Sequence, residues 1–352
     1  MRRLSIAILF LSIFLSIVLS LSPIVLSARA AAVPADEPHA DPFVFLRPAI
    51  QFTDEDRRRL DQREVVLRIL PASGHELAVL AAGSLEVGAE ALVASVRDMP
   101  GLKRGAYVPQ IGIFSSPPRP EDLRELTLEP GDLKAIRNCR PQRADDCDLK
   151  LDANEITRLQ TAARSDHARS DARVEEEFRR ILVDRTERYL RRGELDGHDQ
   201  FASLLQHSPY VLRQLPELAD YLERFPAARL AGAESFVYWS KETYAWKPMI
   251  TLTHVTILHG SSEDASPEII VASRDVYASR FTSGSLILTM LFRSQNTPSQ
   301  RYLVYINRTW VDGVRALWRP FVEYRVRGQA KKVFAGARER IERTGLALLL
   351  RR

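Results

Sequence analysis

Apolar and polar residues alternate with strand-like period from residue 64 to 114, with helical period from about 120 to 232, and with strand-like period again from 235 to 309. Residues 64–70 read as a strand that stops at Pro71. A turn at Ser73 and Gly74 leads into a second strand over 75–87. Leu92, Val93 and Val96 share one face of a short helix over 89–97. A third strand over 107–114 runs into the proline-rich stretch 115–120, which cannot continue a sheet.

The middle of the chain changes period. Asp152, with Glu155 three residues on, has the spacing of a helix-capping pair. The helical pattern that follows has a break near 165–170 and ends at Gly193. Its Glu and Arg residues alternate in sign at helical spacing, which marks a solvated face and not a basic recognition helix. A second helical stretch over 201–225 is divided by Pro209 and Pro216. Strands are then predicted over 236–239, 249–258, 268–279, 281–292 and 301–309. In the last of these, Tyr302, Val304 and Ile306 point one way and Leu303 and Tyr305 the other. The final element is a helix over 326–343, on which Val326, Ala330, Val333, Phe334, Ala337 and Ile341 form one apolar stripe.

The N-terminus adds a destination. Arg2 and Arg3 precede an uncharged apolar run over 4–26, and Ala28 and Ala30 occupy the positions a signal peptidase reads. Residues 1–30 are therefore predicted to be a signal peptide cleaved after Ala30, with Ala32 as a second site. The alternative is an uncleaved anchor, since the run is long enough to span a bilayer. Either way the protein is expected outside the cytoplasm, periplasmic or secreted. Prolines 34, 38, 42 and 48 predict an extended lead-in over 31–62. The formal charge of +5 loses Arg2, Arg3 and Arg29 with the signal and falls to +2. Nucleic acid is not an expected partner at that balance. Cys139 and Cys147, the only cysteines, are a close pair in an exported chain and are expected to form a disulfide. Closing so short a loop stabilises a fold by about 2.6 kcal/mol on the chain-entropy relation. No cysteine or histidine set with metal-ligand spacing is present, so no metal is expected.

Two resemblances extend this reading. Residues 236–242, Lys247 and Pro248, 253–255, 277–279 and 302–308 resemble a family of uncharacterised exported bacterial proteins. The likeness spans nearly all of the chain after the signal and implies export, without assigning an activity. Arg280 stands where that resemblance implies histidine in many relatives, so no mechanism rests on an imidazole there. The order of strands, insertion and final helix is similar to that of START-like, or helix-grip, domains. That implies an α+β fold in which a curved antiparallel sheet is crossed by a long C-terminal helix. Residues 63–352 would form the single domain, with a helical insertion at about 120–232. Such folds hold apolar or amphipathic ligands between sheet and helix.

No Walker loop, dinucleotide fingerprint, zincin helix or nucleophile elbow occurs, and no cofactor is expected. What remains is a polar and aromatic cluster in the last third, which holds all four tryptophans. The expected function is binding of an apolar or amphipathic, lipid-like small molecule, with transient membrane contact. Arg308 or Arg280 would hold an anionic head group, with Asn307, Trp239, Tyr277 and Tyr305 around the body. Two alternatives stand beside it. One is an enzyme on the same scaffold using His254 as general base. The other is a structural or interaction protein of the envelope that docks through its helical insertion.

Overall fold

The computed structural model describes residues 41–350, except 166–168, 196, 198, 245–246, 261–266, 295–296, 298 and 314–318. The predicted signal peptide, Trp246 and Trp318 lie outside the described residues. In chain order the elements are α1 (Pro42–Phe45), α2 (Asp54–Asp61), β1 (Val66–Ile69), β2 (Glu76–Leu85), α3 (Ala89–Arg97), α4 (Met99–Lys103) and β3 (Gln110–Ile113). Then come α5 (Pro130–Asn138), α6 (Ala153–Ser165), α7 (Ser170–Arg192), α8 (Phe201–Gln206), α9 (Pro209–Gln214) and α10 (Pro216–Arg224). The chain closes with β4 (Glu234–Tyr244), β5 (Lys247–His259), β6 (Ile269–Ala278), β7 (Thr282–Arg293), β8 (Arg301–Val311) and α11 (Arg319–Leu349).

All eight strands form one antiparallel sheet in the order β1-β2-β8-β7-β6-β5-β4-β3. The last strand thus returns beside β2, and the C-terminal helix follows directly from it. This is the expected α+β, helix-grip-like architecture. Helices α5 to α10 all fall between β3 and β4, where the insertion was placed.

Both faces of the sheet are covered, by different parts of the chain. On one, Leu80, Ala272, Leu288, Val304 and Ile306 meet α1, α2 and α8 to α10, while Val237, Trp239, Ile250 and Leu252 meet α5 to α7. On the other, Ala81, Val255, Val271, Leu291 and Leu303 pack on α3, α4 and α11. Helix α11 packs mainly on α3, β1 and β2, and touches α4. Its ring of Phe334 sits on Gly83, where a Cβ would lie 2.7 Å from the ring edge. Glycine here lets the helix approach the sheet.

Several local devices match their sequence signals. The Asp152 side chain accepts from the Glu155 amide and the Glu155 side chain from the Asp152 amide, at 2.8 and 3.0 Å. Gly193 ends α7 in the left-handed region with φ 69°. Cys139 and Cys147 are disulfide-bonded, with Cα atoms 5.1 Å apart. That bond is compatible with an oxidising compartment.

Residues 41–62 depart from expectation. They are not an extended lead-in but two helices packed into the core through Phe43, Phe45, Leu46, Ile50, Phe52 and Leu60. Pro42 opens α1 at a position where its missing N–H costs nothing. Thr53 and Asp56 cap α2 reciprocally. Reading the prolines as stiffeners overlooked the aromatic residues between them, whose burial holds the segment down.

Candidate functional site

Strand parity sorts the predicted site residues onto opposite faces. Trp239, Tyr277, His254 and Arg308 lie on the insertion face, and Arg280 projects to the same side. Only Tyr305 and Asn307 face α11. Each member of the first group is already engaged by protein.

Arg308 donates from Nε to the Tyr210 hydroxyl at 3.1 Å and is ion-paired with Glu76, whose other oxygen meets His207 Nδ1 at 2.7 Å. Arg308 and Glu76 are both buried. The aspartate beyond the strand end, Asp312, is taken up by Lys150 and Ser283 at 2.6 and 2.7 Å. Arg280 is buried between Asp132 and Asp148, at 2.8 and 3.1 Å, and also donates to the Pro248 carbonyl. Neither guanidinium is left as an open fork for an anionic ligand. Trp239 is fully buried, donates to the Asp122 carbonyl at 2.8 Å, and leaves room only for glycine at position 112. Tyr277 donates to the Lys150 carbonyl at 3.1 Å, with Arg185 over its ring. These four anchor the insertion to the sheet, and their expected role in binding is withdrawn.

His254 is also corrected. It is 1% exposed, with Nδ1 2.8 Å from the Tyr189 hydroxyl and its ring among Tyr189, Tyr221 and Phe225. Its Nε2 has no protein partner among the described residues. Burial, followed by the neighbouring Arg274 guanidinium, pushes its pKa down to about 3. A neutral imidazole sealed in an aromatic core is no general base for a solvent-borne substrate. It has a thermodynamic consequence instead. The unfolded chain binds a proton at His254 below about pH 6.5, whereas the folded chain resists doing so. Stability from this site is thus complete above pH 6.5 and is lost as pH falls from there towards 3. By pH 4.5 the loss should reach about 2–3 kcal/mol. Urea titrations of wild type and His254→Gln over that range will test it. The gap between the two should close by this amount in acid; a constant gap would show that His254 does not resist protonation.

The face towards α11 presents a different surface. On β6, β7 and β8 the insertion-facing side chains are buried, whereas Asp275, Ile287, Thr289, Tyr305, Asn307 and Thr309 are each half-buried. Val79 on β2 is half-buried beside them, paired with Asn307, which in turn pairs with Ile287. A register shift between Leu252 and Thr253 sets Asp275 opposite Thr253 and leaves Val276 as the extra residue. Asp275 alternates with Arg274 onto the α11 face, and the bulge after it keeps Tyr277 on the other.

A hydrogen-bonded set spans this surface. From the end of α4, Lys103 Nζ donates to Glu242 at 2.8 Å and to the Tyr238 hydroxyl at 3.0 Å. Ser240 also donates to Glu242, at 2.8 Å. Thr253 donates to Asp275 at 2.8 Å, Asn307 to the Tyr305 hydroxyl at 3.2 Å, and Thr309 to the Asn307 carbonyl oxygen at 2.7 Å. Burial pushes the Tyr305 phenol up to about 12 and raises Tyr238. Burial raises the Asp275 carboxyl as well, with Glu242 adding to the effect. Burial alone would lower Lys103, but Glu242 and Tyr238 outweigh it and hold the ammonium well above its ordinary value. Tyr305 and Asp275 thus keep some accessible surface although burial shifts their titration, whereas Tyr238 is buried. Half-buried apolar positions on α11, Val326, Ala330, Val333 and Ala337, continue along the helix above β2.

Among the described residues no group of His, Cys, Asp and Glu side chains is placed to hold a metal ion. Lys103 escaped the sequence reading, because one lysine at the end of a short helix carries no signal until α4 is docked. Asp275 and Glu242 carry no site signal of their own in the sequence. No protein-family model matches the chain, and no curated protein matches it.

Proposed function

We propose that this chain is an exported carrier that binds an apolar or amphipathic small molecule between the sheet and α11. The supporting observation is a patch on the α11 face, the floor of the proposed recess, where Asp275, Ile287, Thr289, Tyr305, Asn307 and Thr309 are half-buried while the insertion-facing Leu286, Leu288, Val304, Ile306 and Arg308 between them are buried. A sheet packed equally on both faces would bury both sets. Ile287, Val79 and the apolar positions of α11 supply walls for a hydrocarbon body, and the set around Tyr305, Asn307 and Asp275 supplies a polar end. The N-terminal signal pattern and the disulfide support export. Kinship with the exported bacterial proteins that the sequence resembles is part of the same proposal, resting on the motifs in β4, β5, β6 and β8.

The neutral fluorophore N-phenyl-1-naphthylamine reports such a site by brightening in an apolar environment. Wild-type protein should brighten it saturably. Ile287→Trp, which fills the recess from its floor, should weaken binding about tenfold or more, equivalent to about 1.4 kcal/mol or more, with little loss of stability. Leu252→Met, on the insertion face, should leave binding unchanged. Equal brightening by wild type and Ile287→Trp would place the probe elsewhere and remove the proposed site.

A further inference from the structure

We infer that the polar end of this recess takes a cationic group, a primary or substituted ammonium on an apolar body, with Asp275 as its counter-ion. The inference rests on the carrier reading and replaces the anionic head group expected from the sequence.

Charge pairing carries it. Both guanidinium groups first suited to an anion are consumed on the opposite side of the sheet by Glu76, Asp132 and Asp148. On the α11 side the cation among the hydrogen-bonded set is Lys103, and it is held by Glu242 and Tyr238. Asp275 accepts from the Thr253 hydroxyl but has no ion-pair partner among the described residues. A desolvated carboxylate without a counter-ion is an expensive group to keep. Burial raises its carboxyl, against hydrogen bonding that includes the Thr253 hydroxyl, and Glu242 adds repulsion. Lys103, Glu242 and Asp275 together leave this face with one negative charge uncompensated by a side chain of the set, which a bound ammonium would balance.

The surrounding groups fit the same ligand. An ammonium has up to three N–H donors and no acceptor. The carboxylate of Asp275 and the hydroxyl oxygen of Tyr238 are acceptors on one face, on the strands either side of Thr253. Lys103 joins Glu242 to the Tyr238 hydroxyl, and Thr253, paired with Tyr238 across β4 and β5, donates to Asp275. Phenol rings beside a carboxylate are also a common setting for ammonium recognition, through the negative face of the ring. An anionic head group would instead meet two carboxylates with one lysine already committed.

The test compares octylammonium, octanol and octanoate, which share one chain and differ in head-group charge, as displacers of N-phenyl-1-naphthylamine at pH 7. Octylammonium should displace the probe at about 10- to 100-fold lower concentration than octanoate, the range of a hydrogen-bonded charge interaction, with octanol between them. Asp275→Asn keeps the shape and removes the charge. It should abolish the preference for octylammonium while leaving probe binding intact. Octanoate or octanol displacing as well as octylammonium from wild type would overturn the inference, and this comparison needs no variant. Full preference retained in Asp275→Asn would overturn it too. Probe binding with no displacement by any of the three would overturn the inference and leave the carrier reading standing. No probe binding at all would remove both.

Discussion

Arg308→Ala is expected to cost about 3–5 kcal/mol of stability, the usual price of stranding one member of a buried ion pair. Arg308 and Glu76 lie 232 positions apart in sequence and meet in the core, at 6% and 1% exposure. Removing the guanidinium leaves the Glu76 carboxylate with only His207 Nδ1 as a strong partner, and His207 is itself exposed. The Tyr210 hydroxyl loses its donor as well. Removing both charges, in Glu76→Gln with Arg308→Met, should recover much of the loss. Equilibrium urea unfolding measures the cost, and probe fluorescence on the folded variant should be unchanged because Arg308 faces the insertion. Unchanged stability with lost binding would return Arg308 to the ligand site.

Phe334→Ala is expected to cost about 3–5 kcal/mol, the range for emptying a buried phenylalanine site. The ring is 5% exposed and clustered with Ala81, Leu85, Leu92 and Leu303. Its edge lies close over Gly83, so no side chain there can move in to fill the gap. Because this is the contact that holds the middle of α11 to β2, probe binding should weaken together with stability. A loss below about 1 kcal/mol, well under the range for a buried aromatic, would mean that α11 is peripheral and does not form a wall of the recess.

The fold was legible where one signal dominated. Alternation in β8 placed Tyr302 and Tyr305 on opposite faces, and Gly193 and the Asp152–Glu155 spacing fixed both ends of the α6–α7 pair. The stripe from Val326 to Ile341 identified α11, although the helix begins earlier, at Arg319. The site was less legible because this sheet is covered on both faces. Alternation tells which residues share a face, but not which face is packed and which is recessed. That choice depends on where α11 and the insertion dock, and docking is written in contacts between distant segments. Arg308 shows the difficulty: at the end of a strand, near Asn307 and Asp312, it looks available, and only the β2–β8 pairing brings Glu76 to it. Asp275 shows the converse, since the bulge at Val276 reverses the parity that would otherwise group it with Tyr277.

The most direct measurement is native mass spectrometry of the protein isolated, without detergent, from cells that make it. A carrier should show a bound species of small-molecule mass that is released on denaturation and absent from Ile287→Trp. Polypeptide mass alone, in protein that also fails to brighten N-phenyl-1-naphthylamine, would contradict a ligand between the sheet and α11.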